Sequence, residues 1–118
     1  MTLQERFDAI RKSGAEIQRP MELFGALDEK STLAHLDTKA AALAPGALPV
    51  KYKALVALAA AVALDSSPCI LNNTRLAKQS GATRAEIMET IAVAKFAKSA
   101  TVLSASAPAL EWLIAQAD

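Results

Sequence analysis

Cys69 is the only cysteine of this 118-residue chain, and the residues before it are those that place a thiol where it can react. It follows Asp65–Pro68, a polar segment between two helix-forming stretches. Pro68 suits the first position of a helix because its missing N–H costs nothing there, and Ser66 or Ser67 can cap that helix. Cys69 would then lie in the first turn, where unpaired backbone N–H groups and the helix dipole favour a thiolate.

Two interpretations of Cys69 fit this pattern. A free cysteine is frequently a small buried hydrophobic residue without chemistry. A thiolate, in contrast, could attack a peroxide to give a sulfenic acid, or form a mixed disulfide with an external thiol. Because the chain has no second cysteine, neither product can be resolved by an internal disulfide.

Two neighbouring side chains could assist the thiol. Asn73 lies four residues after Cys69 and shares a face with it on a helix. Its amide can hydrogen-bond a ligand or water, but it cannot take up a proton as histidine does. Ser66 fits a helix cap better than a nucleophile, since the sequence places no base beside it. The candidate catalytic residues are therefore Cys69, with weak assistance from Ser66 and Asn73.

Helices must position these residues, and the composition predicts an all-α protein. Hydrophobic residues make up 53% of the chain and aromatic residues only 4%, so the excess is mostly alanine, the best helix former. Apolar residues at helical spacing predict three helices in the first part of the chain. These are an amphipathic first helix from Leu3 with a weak point at Ser13-Gly14 within or after it, a short helix after Pro20, and a third from Ser31 that stops at Pro45-Gly46.

The second part of the chain is predicted to form a long apolar helix, the Cys69 helix and two further helices. The apolar helix spans Val50 to Leu64 and is apolar on every side after its first turns, so we expect it to be buried between subunits. Thr83 and Glu86 form a capping box, a strong helix-start signal. That helix should run to about Ser99 or further, and Ser106 and Pro108 should start a terminal helix.

The remaining polar and aromatic residues each leave alternatives open. Lys95 and Lys98 fall near the apolar stripe of their helix, so they are either solvated at its rim or directed into a polar cleft. Trp112 is either an interface anchor or a packed aromatic. His35, the only histidine, stands far from Cys69 in sequence and could reach it across a subunit boundary. One histidine and one cysteine are too few for a metal site, and we predict neither metal nor cofactor.

Length, charge and hydropathy exclude several classes of protein. At 118 residues the chain is one domain, covering 1–118. Its net charge is +1, and its acidic and basic residues are scattered along the chain. It therefore has no basic patch of the kind that binds nucleic acid. The longest apolar run, Ala54–Leu64, is about half of the ~20 residues that a membrane span needs. With no secretory leader and no disulfide, we expect a cytoplasmic protein.

The segment from Lys53 to Gly81 resembles the core of the carboxymuconolactone decarboxylase superfamily, in its alkylhydroperoxidase D-like branch. The Gly-Ala-Thr-x-x-Glu-Ile turn typical of that branch stands at 81–87, and the resemblance extends over about 48–103. It implies an alkylhydroperoxidase D-like helical fold and a homotrimer or homohexamer. It also implies thiol chemistry on a small peroxide or thiol.

The residues that perform this chemistry in the branch are largely replaced here. Its members carry a glutamate, a CxxC pair and a histidine; the corresponding positions here are Ala54, Ser66, Cys69 and Asn73. Loss of acid–base assistance typically costs about 10²–10⁴-fold in rate. The resemblance therefore implies a divergent thiol-dependent peroxidase or thiol-exchange protein that uses Cys69 alone.

Two other functions are compatible with the same residues. The chain could be a non-catalytic ligand-binding or scaffold protein that kept the fold and lost the relay. Decarboxylase activity is a third function, ranked below the thiol chemistry. The decarboxylase branch uses its own histidine and charged residues near the junction of the apolar helix and the Cys69 helix. This chain has Asn72, Asn73 and Arg75 there instead.

Overall fold

The computed structural model describes residues 1–118 and consists of six α-helices without strands, as the composition predicts. The helices are α1 (Leu3–Lys12), α2 (Arg19–Leu27), α3 (Glu29–Leu43), α4 (Val50–Ala63), α5 (Ser67–Gln79) and α6 (Arg84–Ala115). None of them has the length and apolarity needed to cross a bilayer.

The predicted capping box starts α6. The backbone N–H of Glu86 donates to Thr83 Oγ1 over 3.1 Å, and the N–H of Thr83 donates to Glu86 Oε1 over 2.9 Å. The same glutamate pairs through Oε2 with Lys51 Nζ in α4, at 2.8 Å. The pair holds the first turns of α4 and α6 together.

Helices α1, α2 and α3 pack around one hydrophobic cluster, whose buried members are Leu3, Phe7 and Leu36. Of the two places that the sequence allows for the weak point, within or after the first helix, the structure shows the second: α1 ends at Lys12, and Gly14 adopts a positive φ of 92° directly after the capping residue Ser13. The weak point at Ser13-Gly14 therefore lies after the helix. Ile17 belongs to the α1–α2 connection and still packs on the cluster.

Helices α4, α5 and α6 form a second cluster, in which Ala54 and Leu58 are completely buried. Small alanines on α4, α5 and the α5–α6 turn let these elements approach closely, and α4 packs against both α5 and α6. Within the single chain α4 is not covered on every side, because Val56 is 61% exposed, and burial between subunits stays a prediction. One face of α4 is buried within the chain and the other is open.

The prediction of a separate terminal helix from Ser106 and Pro108 is also wrong. Helix α6 continues without interruption through Pro108 to Ala115. A proline inside a helix removes one N–H···O bond and crowds the carbonyl four residues earlier. Here the surrounding residues are exposed, so that carbonyl can bond water, and alanines at 105, 107 and 109 support the helix by their high propensity.

The two clusters share no residue. They are joined by the α3–α4 connection and by contacts from the α1–α2 connection to α5. Gln79 Nε2 donates to the carbonyl of Ser13 over 3.5 Å, and Arg75 Nη1 lies 3.4 Å from Glu16 Oε1. These contacts define a seam between an N-terminal unit (α1–α3) and a C-terminal unit (α4–α6).

Candidate functional site

The turn between α4 and α5 places Cys69 at a helix start. Asp65 adopts a left-handed conformation with φ 56°, and its carboxylate pairs with Lys98 of α6. The chain then enters α5 at Ser67, one residue earlier than a start at Pro68 predicts. Cys69 is the third residue of the helix, within the first turn as predicted. The N–H groups of this turn lack intrahelical partners.

The interpretation of Cys69 as a buried hydrophobic residue is wrong, because its side chain is exposed. It lies on the surface of α5 that faces the N-terminal unit. An exposed sulfur at a helix start can be reached by a small molecule, which is the first requirement for a nucleophilic or redox-active thiol.

A cavity of about 200 Å³ lies at the seam between the two units, and Cys69 forms part of its wall. Helix α5 contributes Cys69, Asn72 and Asn73, and α3 contributes His35 and Lys39. The α1–α2 connection and neighbouring apolar side chains close the rest of the wall: Ile10, Glu16, Ile17, Gln18, Met21 and Leu36. Larger cavities of about 380 and 440 Å³ lie elsewhere on the chain, but they contain no thiol.

The single histidine lines the same cavity as the single cysteine, within one chain. Sequence analysis allowed His35 to reach the site only across a subunit boundary, and the structure corrects this. The shared cavity depends on how the N-terminal unit lies across the seam from α5, which no local pattern reveals. Local sequence signals could only have marked His35 as the sole histidine of the chain.

Asn72 is a second cavity residue that sequence analysis did not select. Its Oδ1 atom is buried and has no hydrogen-bond partner. Buried polar atoms are nearly always bonded in proteins, so this oxygen is an unsatisfied acceptor within a residue of the cavity wall. Its position three residues after Cys69 on a helix was a usable signal, because residues three apart share a face.

Asn73 lines the cavity together with Cys69, with which the sequence predicts a shared helix face, but its amide group already makes one hydrogen bond. Its Nδ2 donates to the carbonyl of Ala57 in α4, over 3.5 Å. This bond fixes the side chain against the C-terminal unit and leaves its Oδ1 as the group that can meet a ligand. An amide cannot take up a proton as histidine does.

Ser66 is not brought into the cavity. It occupies the N-cap position of α5, yet its side chain makes no capping hydrogen bond. Ala54 is also remote from the cavity, since it lies completely buried in the C-terminal cluster beside Ala77 and Ile87. A carboxylate at position 54 would meet aliphatic packing, not the thiol.

Lys95 and Lys98 were expected either at the solvated rim of the apolar stripe or directed into a polar cleft, and the structure places the two lysines differently. Lys95 is exposed to solvent. Lys98 is half-buried and pairs with Asp65, so it fixes the turn that precedes α5. Neither lines the cavity. Trp112 is 65% exposed and does not belong to either hydrophobic cluster. The chain contains no cluster of three or more histidine, cysteine, aspartate or glutamate side chains arranged to bind a metal.

These features define an all-helical protein whose one thiol sits at a helix start on the wall of a small polar and apolar cavity. The profile of the carboxymuconolactone decarboxylase family matches residues 30–112, which is most of the chain. The chain belongs to that family. The matched range contains α3, so His35 lies inside the family domain, not outside it as the 48–103 resemblance indicated. A search of curated proteins found no significant match.

Proposed function

We propose that this protein catalyses thiol chemistry at Cys69, and specifically the reduction of a small peroxide at the expense of an external thiol. The observation that supports this most is the shared cavity, which brings the only cysteine and the only histidine together from two helices. Exposure of the sulfur and its position in the first turn of α5 add to it.

The reaction can be written with one cysteine. The thiolate attacks the outer oxygen of a hydroperoxide, the O–O bond breaks, and the products are a cysteine sulfenic acid and an alcohol once the alkoxide takes up a proton. A low-molecular-weight thiol then displaces water from the sulfenic acid and forms a mixed disulfide. A second such thiol releases Cys69 and leaves as a disulfide. The sum is one peroxide and two thiols converted to alcohol, water and disulfide.

His35 is the group available for proton transfer in this scheme. It would accept the thiol proton and return it to the alkoxide, since α5 supplies only amides near the sulfur. Lys39 on the same helix adds positive charge that favours the thiolate and an anionic substrate. Glu16 is the only carboxylate of the wall, and it is drawn toward Arg75.

The direct experiment measures peroxide consumption with a small thiol as reductant, for wild type, Cys69→Ser and His35→Gln. We expect Cys69→Ser to fall to the uncatalysed rate and His35→Gln to lose about 10²-fold or more, the usual value of acid–base assistance. Lys95→Gln, an exposed lysine outside the cavity, is the control and should keep full activity. Turnover that survives in Cys69→Ser rules out the proposal.

A second experiment measures the reactivity of the thiol without peroxide. The rate at which Cys69 reacts with a disulfide reagent is compared between the native protein and the chain unfolded in urea, at the same pH. A reactive site predicts faster reaction in the native state, since unfolding removes the helix start and the cavity. Slower reaction in the native protein would instead mark Cys69 as a protected thiol.

The unpaired Oδ1 of Asn72 supports ligand binding without catalysis as the second candidate. In that case the cavity holds a small molecule with a hydrogen-bond donor, and Cys69 is only part of its wall. A small molecule retained through purification and displaced in Asn72→Leu, with no turnover of peroxide by wild type, would favour this function over the first.

A further inference from the structure

The chain exposes far more surface than a monomer of its size. Its accessible surface is 8371 Å², whereas folded monomers of 12.4 kDa expose about 6,100 Å². The radius of gyration is 18.9 Å, against about 13.5 Å for a compact chain of this length. The excess of about 2,200 Å² exceeds the roughly 800 Å² that each partner buries in a standard interface.

Much of this excess lies on the C-terminal half of α6, residues 99–115, called the arm here. Every arm residue is exposed except Ser106, which is partly covered. Leu103 is 72% and Ile114 is 83% exposed, and neither cluster includes an arm residue. A helix of this kind gains little from the rest of its own chain.

The arm presents one stripe of residues at the spacing that lets a helix face a second helix. Phe96, which precedes the arm, Ser99, Leu103, Ser106, Leu110 and Leu113 recur at alternating spacings of three and four. This spacing puts all six on one stripe, which is how a helix presents itself to a second helix. Glu111 is the only charged residue between 99 and 115, so like charges do not oppose the pairing of two arms.

We propose that the arm pairs antiparallel with the arm of a second copy of this chain, about a two-fold axis at Ser106. This register places Ser99 opposite Leu113 of the other copy, so that a small residue faces a large one at each end, and it places Leu103 beside Ala109 and Leu110 of that copy. A parallel register would place Ser99 on Ser99 and Ser106 on Ser106, and would bring the remaining helices of the two chains side by side. The antiparallel register also opposes the two helix dipoles.

The pairing is isologous, so each arm covers the other with the same stripe. It accounts for a dimer, or for a hexamer built from three such pairs, and it is incompatible with an isolated trimer. It does not depend on the thiol chemistry proposed above, since the arm contributes no residue to the cavity.

Light scattering on the full chain tests the pairing. Wild type should have an even number of subunits at micromolar concentration. Leu103→Ser combined with Leu110→Ser should halve the mass or reduce it to the monomer, while the helical content and the C-terminal cluster are retained. Leu27→Ser, which changes a leucine 91% exposed on α2, is the matched control and should leave the mass unchanged. A monomeric or trimeric wild type overturns the proposal.

Cysteine crosslinking tests the direction, in a Cys69→Ser background that removes the native thiol. Chains with Ser99→Cys and chains with Leu113→Cys are expressed together and oxidised. The antiparallel register predicts disulfides between the two kinds of chain and few between identical ones. Disulfides only between identical chains, or no disulfides in a protein that is still oligomeric, contradict the register.

Discussion

At the scale of single residues, Asn72 carries a polar atom that the folded chain leaves without a partner. A buried unpaired carbonyl costs about 1–3 kcal/mol, whereas an apolar group of the same shape costs nothing comparable. Asn72→Leu should therefore raise the free energy of unfolding by about 1 kcal/mol in the absence of ligand, measured by urea denaturation. It should also weaken any ligand that bonds this oxygen.

Asn73 provides a control, because its replacement should change the free energy of unfolding in the opposite direction. Asn73→Leu removes the hydrogen bond to the carbonyl of Ala57 and should lower the free energy of unfolding by about 0.5–1.5 kcal/mol. Equal destabilisation by both changes would mean that Asn72 Oδ1 has a partner in solution.

Glu86 makes stability depend on pH. Its hydrogen bonds from Lys51 and from the backbone N–H of Thr83 lower its pKa from 4.5 to about 2. Because the folded state binds the proton more weakly than the unfolded chain, the contribution of this group is complete above about pH 4.5. It is lost as the pH falls toward 2.

Glu86→Gln should therefore flatten the fall in unfolding free energy across that range, in urea titrations at several pH values. Glu89→Gln, one turn further along α6 and without an ion pair, is the matched control and should keep the wild-type slope. An identical slope in wild type and Glu86→Gln contradicts the role of the Lys51 pair.

At the scale of elements, α4 owes its stability to one buried face. Leu58 is completely buried in the C-terminal cluster, and a cavity left by Leu58→Ala should cost about 2–5 kcal/mol of unfolding free energy. Leu27→Ala, at an exposed position of α2, should change it by no more than about 0.5 kcal/mol. A small effect of Leu58→Ala would mean that α4 is held mainly by other subunits.

Pro108 is expected to weaken α6 locally although the helix passes through it. Pro108→Ala restores one backbone hydrogen bond and should slow amide exchange in the turns around 104–112, since proline costs about 3 kcal/mol relative to alanine inside a helix. Pro45→Ala, in the α3–α4 connection, should leave exchange in α6 unchanged. Exchange in α6 that is not slowed by Pro108→Ala would show that the helix accommodates the proline without loss.

Local patterns predicted most of the helices and the start of α5, because capping boxes, glycine and helical spacing act within a few residues. They failed at Pro108, where proline is expected to interrupt a helix. Solvent exposure of the freed carbonyl and the high helix propensity of the alanines on both sides outweigh that tendency. They also failed at the cavity. His35 and Cys69 are separated by 34 positions, and their meeting depends on docking between two units that have separate hydrophobic clusters.

At the scale of the whole molecule, the proposed pairing of arms predicts that association is coupled to folding. If arms pair, the unfolding transition releases separate chains, and stability then depends on protein concentration. The midpoint of thermal unfolding should rise with concentration, by the equivalent of about 2.7 kcal/mol per pair for a hundred-fold increase. The Leu103→Ser, Leu110→Ser variant should show no such dependence. A concentration-independent midpoint in wild type contradicts association coupled to folding.

Because the thiol lies where two independently packed units meet, its surroundings are supplied by a part of the chain that does not hold it. Substitutions in the first third of the sequence can exchange His35, Lys39 or the apolar side chains of the cavity wall without touching the helix that carries the sulfur. Loosening of the first three helices would remove that part of the wall and leave the sulfur more open to solvent and oxidants.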